Sequence, residues 1–241
     1  FQNLDDTKKL IIIYGIASGM SYLHSHNIVH RDLRPDNIFI DDHFYPKIFN
    51  FHISKELTSS DGQIIDFELR NSPSYTAPEY LSNLIFSKSS DVFSFVMIMH
   101  EIITNENQYE KYYYMDEIIT AVTKQKIRPK FNSSIADCYK ELIEKCWSED
   151  PKERPTFDEI VYQLRTNPNF ITEKVNKEEF YNYIQYIDDY QITFESPVVI
   201  QSIEDIKNSE KFLFNIEMFN DNMKSLSNLQ TNFDLSKYKI A

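Results

Sequence analysis

One long apolar helix constrains the fold of this chain more than any other segment. Residues 88–104 open with a lysine, two serines and Asp91, and then run almost wholly through apolar side chains to Thr104. A helix that is apolar on every side is stable only when protein surrounds it. The segment therefore predicts a buried helix in the middle of a helical domain. Asp91 is also a candidate cap for the first turn of that helix.

Periodic apolar residues predict the helices around this central one. Apolar side chains recur at spacings of three and four residues, which is typical of amphipathic helices. The predicted helices cover residues 6–25, 115–126, 135–147 and 156–164, and two short strands over 37–40 and 46–49 form a hairpin. The first helix is capped by Asp5 or Asp6. Residues 55–74 are polar and predict a mobile surface loop.

A domain boundary follows the last of these helices. Asn167, Pro168 and Asn169 favour an end of regular structure, and the sequence beyond them becomes acidic and aromatic. We expect one domain over residues 1–165 and an acidic, partly helical and partly disordered extension or linker over 166–241. Within the extension, helices are predicted over 176–190 and 203–214, and residues 220–241 predict a flexible tail.

Composition limits the expected partners and compartment. The net charge of −12 disfavours nucleic acids and acidic membrane surfaces, so other proteins are the expected partners. Cys138 and Cys146 predict neither a disulfide framework nor a zinc site. This cysteine usage is typical of a reducing compartment, so an intracellular, cytoplasmic setting is expected. No stretch reaches the roughly 18 apolar residues of a membrane span, and no signal peptide opens the chain. His24 and His26 lack a third ligand nearby, so surface contacts are favoured over a metal site. Because the chain begins at Phe1, a fragment of a longer protein is expected.

The densest group of polar residues stands between the first helix and the hairpin. Residues 30–37 read His-Arg-Asp-Leu-Arg-Pro-Asp-Asn. This segment resembles the catalytic loop of protein kinases, His-Arg-Asp-Leu-x-x-x-Asn. Other blocks resemble the same family in the same order: residues 77–79 match its Ala-Pro-Glu motif, residues 90–97 its central helix, and residues 146–157 a motif of its tyrosine-kinase-like group.

The resemblance implies a fold as well as a family. It implies the mostly α C-terminal lobe of the protein-kinase-like fold, with the predicted short hairpin beside the catalytic loop. In that family a glycine-rich loop and a strand lysine of the N-terminal lobe hold the ATP phosphates. The three glycines, Gly15, Gly19 and Gly62, cannot form such a loop, and no matching lysine motif occurs. The N-terminal lobe is therefore expected to lie outside this chain or to be missing altogether.

The resemblance also implies the chemistry of the loop. Asp32 would accept the proton of a substrate hydroxyl, Arg34 would supply positive charge near the moving phosphate, and Asn37 would ligate magnesium with bound ATP. Asn50 stands where the family has the magnesium-binding aspartate of Asp-Phe-Gly, and His52 replaces its glycine. An amide offers magnesium a dipole where a carboxylate offers a full charge. Asn37 and Asn50 therefore predict weak metal and cofactor binding.

Six residues are implied to have structural or regulatory roles. In the family, the residue at Asp91 accepts backbone N–H bonds from the catalytic loop, and the residue at Arg154 pairs with the glutamate at Glu79. Arg31 would pair with a phosphorylated residue of the activation segment, or else with a local acid. The six residues are His30, Arg31, Ser72, Glu79, Asp91 and Arg154, and the phosphorylation candidates are Thr58, Ser59, Ser60 and Tyr75.

Two functions stay open from the sequence. The favoured one is a pseudokinase, or a severely impaired kinase, that acts as a protein-binding or regulatory module and needs no cofactor. The alternative is an active Ser/Thr protein kinase, present here as a fragment, which would use ATP and magnesium to phosphorylate protein hydroxyls. The preference for Ser/Thr over Tyr rests on Arg34-Pro35 and Tyr75-Thr76.

Overall fold

The computed structural model describes residues 4–58, 62–65, 72–107, 109–131 and 135–194. The α-helices in these residues are α1 (Asp6–Ser25), α2 (Pro78–Asn83), α3 (Lys88–Thr104), α4 (Met115–Thr123), α5 (Asp137–Cys146), α6 (Phe157–Thr166) and α7 (Lys177–Phe194). The strands are β1 (Ile28–Val29), β2 (Ile38–Ile40), β3 (Pro46–Ile48), β4 (Lys55–Glu56), β5 (Gln63–Ile65) and β6 (Ile85–Ser87). They form three antiparallel pairs, β1 with β4, β2 with β3, and β5 with β6. The predicted mostly α fold with a short hairpin is confirmed.

Helix α3 lies in the hydrophobic core, as its apolar sequence predicts. Every residue from Ser90 to Ile102 is buried. A capping box starts the helix, because Ser87 and Ser90 each accept the backbone N–H of the other through their side chains. The interpretation of Asp91 as the cap is therefore wrong. Because Ser87 satisfies the first turn, the Asp91 carboxylate can accept hydrogen bonds from other segments.

Helix α1 carries the hairpin that lies behind the polar loop. It begins as predicted after Asp5, whose carboxylate accepts the Lys8 N–H at 2.8 Å. The helix packs against α3, α6 and α7, and β3 lies along it. In the hairpin, Ile38 pairs with Ile48 across the two strands. The loop of residues 30–37 therefore runs from β1 to β2 over a surface built by buried helices.

The prediction of a mobile surface loop over residues 55–74 is wrong for two stretches of it. Strand β4 pairs with β1, and β5 pairs with β6. Leu57 and Ile64 supply the physical reason, because they pack on a second small cluster of buried apolar side chains. Pairing stabilises the two strands, and packing removes part of the Leu57 and Ile64 side chains from water.

Helix α7 belongs to the same hydrophobic cluster as the other helices. Phe180 is 0% exposed and Tyr183 is 1% exposed, and both lie in that cluster. The helix predicted over residues 176–190 is present, and it runs from Lys177 to Phe194. The predicted helix over 203–214 and the predicted tail over 220–241 lie outside the described residues. The division of the chain at residue 165 stays a prediction.

Two further sequence expectations can be compared with the structure. Cys138 and Cys146 are buried free thiols, and burial raises the pKa of both, so both remain protonated at neutral pH. They act as small apolar side chains. Among the described residues, no helix has both the length and the apolar character that a membrane crossing requires.

Buried His100 predicts how stability changes with pH. Its Nε2–H donates to the Lys130 carbonyl oxygen at 3.1 Å, and burial lowers the pKa of the ring. Because an unfolded histidine has a pKa of about 6.5, the unfolded state takes up the proton first as the pH falls. The free energy of unfolding should therefore be highest above about pH 6.5 and should decrease as the pH falls below that value.

The variant His100→Gln should reduce that decrease, because glutamine can donate to Lys130 without titrating. Urea denaturation at several pH values measures the effect, with exposed His43→Gln as the control. An unchanged pH dependence in His100→Gln would contradict the assignment of a neutral, buried ring.

Candidate functional site

The Asp91 carboxylate holds the loop of residues 30–37 in place. Its two oxygens accept the backbone N–H groups of His30 and Arg31 at 2.9 and 3.0 Å. Asp91 is fully buried in α3, and His24 Nε2 donates to it at 3.0 Å. Arg31 adopts a left-handed backbone conformation with φ of 71°. The contact implied by the resemblance is present, and it fixes a backbone conformation that an arginine rarely adopts.

His24 was expected at the surface, and that expectation is wrong. The ring is buried, donates to Asp91 and lies edge-on to Phe157 at 4.9 Å. The signal was in the periodicity, since Met20 and His24 are four residues apart on one face of α1. His26 contacts the Tyr22 carbonyl oxygen at 2.9 Å instead. Within the described residues, no three or more His, Cys, Asp or Glu side chains gather in a way that could hold a metal ion.

His30 is a neutral ring with a fixed proton position. Its Nε2 lies 3.0 Å from the carbonyl oxygen of Phe49, which only accepts, so Nε2 carries the proton. Its Nδ1 accepts the Asp32 N–H at 3.3 Å. Burial lowers the pKa of the ring, which is fully buried. His30 therefore connects the loop to the end of the hairpin as a neutral ring.

A chain of hydrogen bonds links the four polar side chains that face one another at the open end of the hairpin. The Asn37 side-chain NH₂ donates to the Asp32 carboxylate at 2.8 Å and to the Asp32 carbonyl oxygen at 2.7 Å. The Asn50 NH₂ donates to the Asn37 amide oxygen at 2.9 Å. His52 Nδ1 contacts the Asn50 amide oxygen. The structure thus brings together Asp32, Asn37 and Asn50, and it adds His52.

The Asp32 end fixes the direction of this chain. Asp32 offers two acceptors to Asn37, so the Asn37 NH₂ must point toward it and the Asn37 oxygen toward Asn50. That oxygen needs a donor, which orients the Asn50 NH₂. The Asn50 oxygen then faces His52, whose Nδ1 must carry a proton. Asn50 adopts φ 70° and ψ 56°, a left-handed conformation that asparagine tolerates better than most residues.

These residues do not fit the magnesium centre that the resemblance implies. Magnesium prefers oxygen ligands, with one or two carboxylates among them. Both amide oxygens, of Asn37 and Asn50, already accept a hydrogen bond. An aspartate at position 50 would instead set a second acceptor against the Asn37 oxygen, and a cation would be needed between them. The side chains present satisfy one another without a metal.

Arg34 lies at a surface depression beside Asp32. The residues that line it are Arg31, Asp32, Leu33, Arg34, Ser72, Tyr75, Thr76 and Ser94. Arg34 Nε donates to the Asp36 carboxylate at 2.9 Å, and its Nη2 contacts the same oxygen. Its charge is therefore balanced locally by Asp36. A group entering the depression would have to compete with that partly exposed carboxylate for Arg34.

Arg31 and the activation-segment candidates have different surroundings. Arg31 is buried, and its Nη1 donates to the Ile53 carbonyl oxygen at 2.9 Å. Among its candidate partners, Thr58 is exposed, and Ser59 and Ser60 lie outside the described residues. The Ser72 carbonyl oxygen accepts the Thr76 hydroxyl at 2.7 Å, which holds the turn beside the depression.

Tyr75 is a poor phosphorylation candidate because its hydroxyl is already bound. It donates to the Glu101 carboxylate at 2.6 Å and accepts from the Asn107 NH₂ at 3.2 Å. Burial and the neighbouring Glu101 charge raise the pKa of Tyr75, and burial raises the pKa of Glu101. A phosphate on this oxygen would meet a buried carboxylate. The sequence offered no signal for this pairing, because Tyr75 and Glu101 lie on different elements.

Arg154 and Glu79 form a buried bidentate ion pair. The Arg154 Nη1 and Nη2 donate to the two Glu79 carboxylate oxygens, each at 2.8 Å, and the Arg154 side chain is 0% exposed. Its Nε also donates to the Ser148 carbonyl oxygen at 2.9 Å. Ser90 Oγ donates to Glu79 at 2.9 Å. The pair implied by the resemblance is present, and it joins α2 to α3 and to the segment before α6.

Comparison with known proteins gives a consistent result. A family model described as protein tyrosine and serine/threonine kinase matches residues 2–164. The chain is 35% identical over 164 residues to the probable serine/threonine-protein kinase drkC of Dictyostelium discoideum, covering 67% of this chain and 22% of that protein. It is 32% identical over 155 residues to a serine/threonine-protein kinase of Arabidopsis thaliana, covering 64% and 26%.

A dual specificity protein kinase of Dictyostelium discoideum, shkB, is 32% identical over 157 residues, which cover 65% of this chain and 24% of that protein. The chain thus spans about a quarter of the length of these three relatives. Helix α7 follows the matched residues.

Removing one partner of the Arg154–Glu79 pair should be strongly destabilising. Glu79→Ala would leave a buried guanidinium without its carboxylate, and such losses cost about 3–5 kcal/mol. Chemical denaturation measures the change in the free energy of unfolding. Asp137→Ala, which breaks the exposed pair with Lys140, is the control and should cost less than about 1 kcal/mol. Equal losses in the two variants would contradict a structural role for the buried pair.

Proposed function

Because the chain belongs to the protein tyrosine and serine/threonine kinase family, we propose that it acts as a pseudokinase, a kinase-like module that binds or regulates other proteins. One observation carries the proposal. The side chains that would hold magnesium, Asn37 and Asn50, are hydrogen-bonded to each other, and the Asn50 oxygen is bound by His52. The module needs neither ATP nor magnesium in order to keep this arrangement.

The residues that shape the lobe support this proposal. Asp91 holds the loop backbone, and Arg154 holds Glu79, through contacts that involve no ligand. His30 bridges the loop and the hairpin as a neutral ring. The architecture of the lobe is therefore retained while the metal-binding carboxylate is replaced. A surface with this fixed shape is suited to recognising a protein.

Charge indicates the kind of partner. The net charge of −12 favours a basic or neutral protein surface over nucleic acid or an acidic membrane, since like charges repel. We propose an intracellular, cytoplasmic setting for this interaction. The free thiols of Cys138 and Cys146 fit a reducing compartment.

The second candidate function is an active Ser/Thr protein kinase that uses ATP and magnesium. It is favoured by Asp32, which is partly exposed at the depression that Arg34, Ser72 and Thr76 also line. In that function Asp32 would accept the proton of a substrate hydroxyl, and Arg34 would leave Asp36 to approach the phosphate. The full carboxylate for magnesium would still be lacking at position 50.

The variant Asn50→Asp tests whether the loss of a carboxylate at position 50 has removed magnesium binding. It replaces a donor with an acceptor 2.9 Å from the Asn37 oxygen. Without divalent cations, this should lower the free energy of unfolding by about 1–3 kcal/mol, because the hydrogen bond is lost and two acceptors face each other. Magnesium should then restore the melting temperature of Asn50→Asp while leaving that of the original protein unchanged.

Thermal denaturation in EDTA and in millimolar magnesium measures this difference. Asn105→Asp is a matched control, because Asn105 also has a left-handed backbone, with φ of 57°, and lies at the exposed end of α3. Its melting temperature should not respond to magnesium. If the original protein gains as much from magnesium as Asn50→Asp does, the proposed loss of the metal site is wrong.

Transfer of labelled phosphate tests activity directly. The protein as its gene encodes it should label a generic basic protein substrate no faster than the variant Asp32→Ala does. A rate clearly above that of Asp32→Ala would establish the second candidate function and overturn the first. Asn50→Asp should be assayed in parallel, and we expect it to raise the affinity for magnesium-ATP more than any other single substitution.

A further inference from the structure

Helix α7 lies beyond the residues that the kinase family model matches, and yet it is built into the lobe. Phe180, Tyr183, Ile184 and Ile187 are buried in the main hydrophobic cluster. At the start of the helix, the Asn176 N–H donates to the Thr7 hydroxyl at 2.7 Å. This helix is therefore anchored along α1 through a buried apolar face.

The second half of α7 is held by an ion pair at Asp188. The guanidinium of Arg165 in α6 donates to both oxygens of Asp188, at 2.9 and 2.6 Å. Between the two anchors, Tyr14 of α1 contacts the rings of Phe180 and Tyr183 edge-on. These contacts hold α7 at its start, in its middle and at Asp188.

Gly15 marks the point where α7 and the hairpin meet α1. A Cβ atom at this position would lie 2.5 Å from Cγ of Pro46 in β3, and it would be nearer still to Oη of Tyr183 in α7. Neither distance is possible for a real side chain. Glycine inside a helix costs about 1 kcal/mol relative to alanine. The close approach of both neighbours at one residue accounts for its presence.

Tyr45 connects α7 to the turn of the hairpin. Its ring lies 4.4 Å from the ring of Tyr183 and 5.1 Å from that of Tyr186, both on α7. Its backbone N–H is held by the Asp41 carboxylate at 2.9 Å. The aromatic rings of α7 thus fix the turn end of the hairpin, while Pro46 and Gly15 fix the start of β3.

The opposite end of the same hairpin carries the two asparagines of the site. Asn37 directly precedes β2, and Asn50 follows β3 by two residues. The Phe49 N–H donates to the Asn37 carbonyl oxygen at 3.1 Å, which closes that end. Each strand has three residues, so the distance from Tyr45 to the asparagines is short and the ladder between them is continuous.

We propose that α7 positions Asn37 and Asn50 through this hairpin, with Gly15, Tyr45 and Tyr183 as the positioning residues. Displacement of α7 would release the turn, and the hydrogen bonds from Asn50 to Asn37 and from Asn37 to Asp32 would loosen with it. Helix α7 and the loop of residues 30–37 are therefore mechanically coupled. This coupling holds whether or not the loop transfers phosphate.

The substitution Gly15→Ala tests the joint, because its methyl group would push Tyr183 or Pro46 away. Amide hydrogen exchange should become about tenfold faster or more at Phe49, whose N–H closes the hairpin, and unchanged in α4, which lies elsewhere in the lobe. Gly19→Ala is the matched control, because its Cβ meets nothing of α7 within 4 Å and reaches β3 only at the flexible end of the Ile48 side chain, at 3.0 Å. Adding Tyr183→Phe to Gly15→Ala should recover part of the protection, since among the described residues that hydroxyl has no hydrogen-bond partner.

A second readout separates positioning from general stability. In Tyr45→Ala, the NMR chemical shifts of the Asn37 and Asn50 side-chain NH₂ groups should move toward those of solvent-exposed asparagines. The variant Tyr181→Ala, on the exposed side of α7, should leave these shifts unchanged. If Gly15→Ala does not fold, Arg165→Ala removes the ion pair that holds α7 at Asp188 and should shift the same signals in the same direction. Asparagine signals and hairpin exchange that stay unchanged in Tyr45→Ala and Arg165→Ala would overturn the proposal.

Discussion

The hydrogen bonds to the Asp91 carboxylate are the interaction on which the rest of the site depends. A carboxylate buried without donors would be costly, and here two loop N–H groups and the ring of His24 satisfy it. Because α3 is surrounded by other elements, Asp91 has a fixed position, and the loop acquires that position through it. Left-handed backbone at Arg31 costs of order 1–3 kcal/mol and persists because these bonds define it. The loop conformation is thus imposed from the core.

Sequence reasoning predicted the parts of the fold that depend on periodic burial. Helices α1 and α3 and the β2–β3 hairpin follow from apolar spacing and turn residues. The pairing of β4 with β1 and of β5 with β6 was missed, because strands of two or three residues leave almost no periodic signal. At the site, the resemblance supplied Asp91 and Arg154, but it could not supply the orientation of the Asn50 amide. That orientation follows from acceptors on Asp32 and Asn37, which only the folded chain brings beside Asn50.

Aspartate and asparagine side chains have the same number of heavy atoms. Asparagine at position 50 nevertheless changes which partners the site needs. Two facing oxygens need a cation between them, whereas an NH₂ facing an oxygen needs nothing further. The series of hydrogen bonds from His52 to Asp32 therefore needs no cation. In the proposed function, the lobe keeps its shape through internal bonds, among them the Arg154–Glu79 pair, and its surface is available for recognition at any nucleotide concentration.

The glycine at position 15 also has an evolutionary consequence. Most helix positions tolerate alanine, so a helical glycine drifts unless something excludes the methyl group. Here Tyr183, which lies beyond the kinase match, is one of the two residues that exclude it. Relatives that share the seventh helix should then inherit glycine and the aromatic residue together, whereas in relatives without it only the proline of β3 would exclude the methyl group. Co-inheritance of the two positions would date the moment when the extension became part of the lobe.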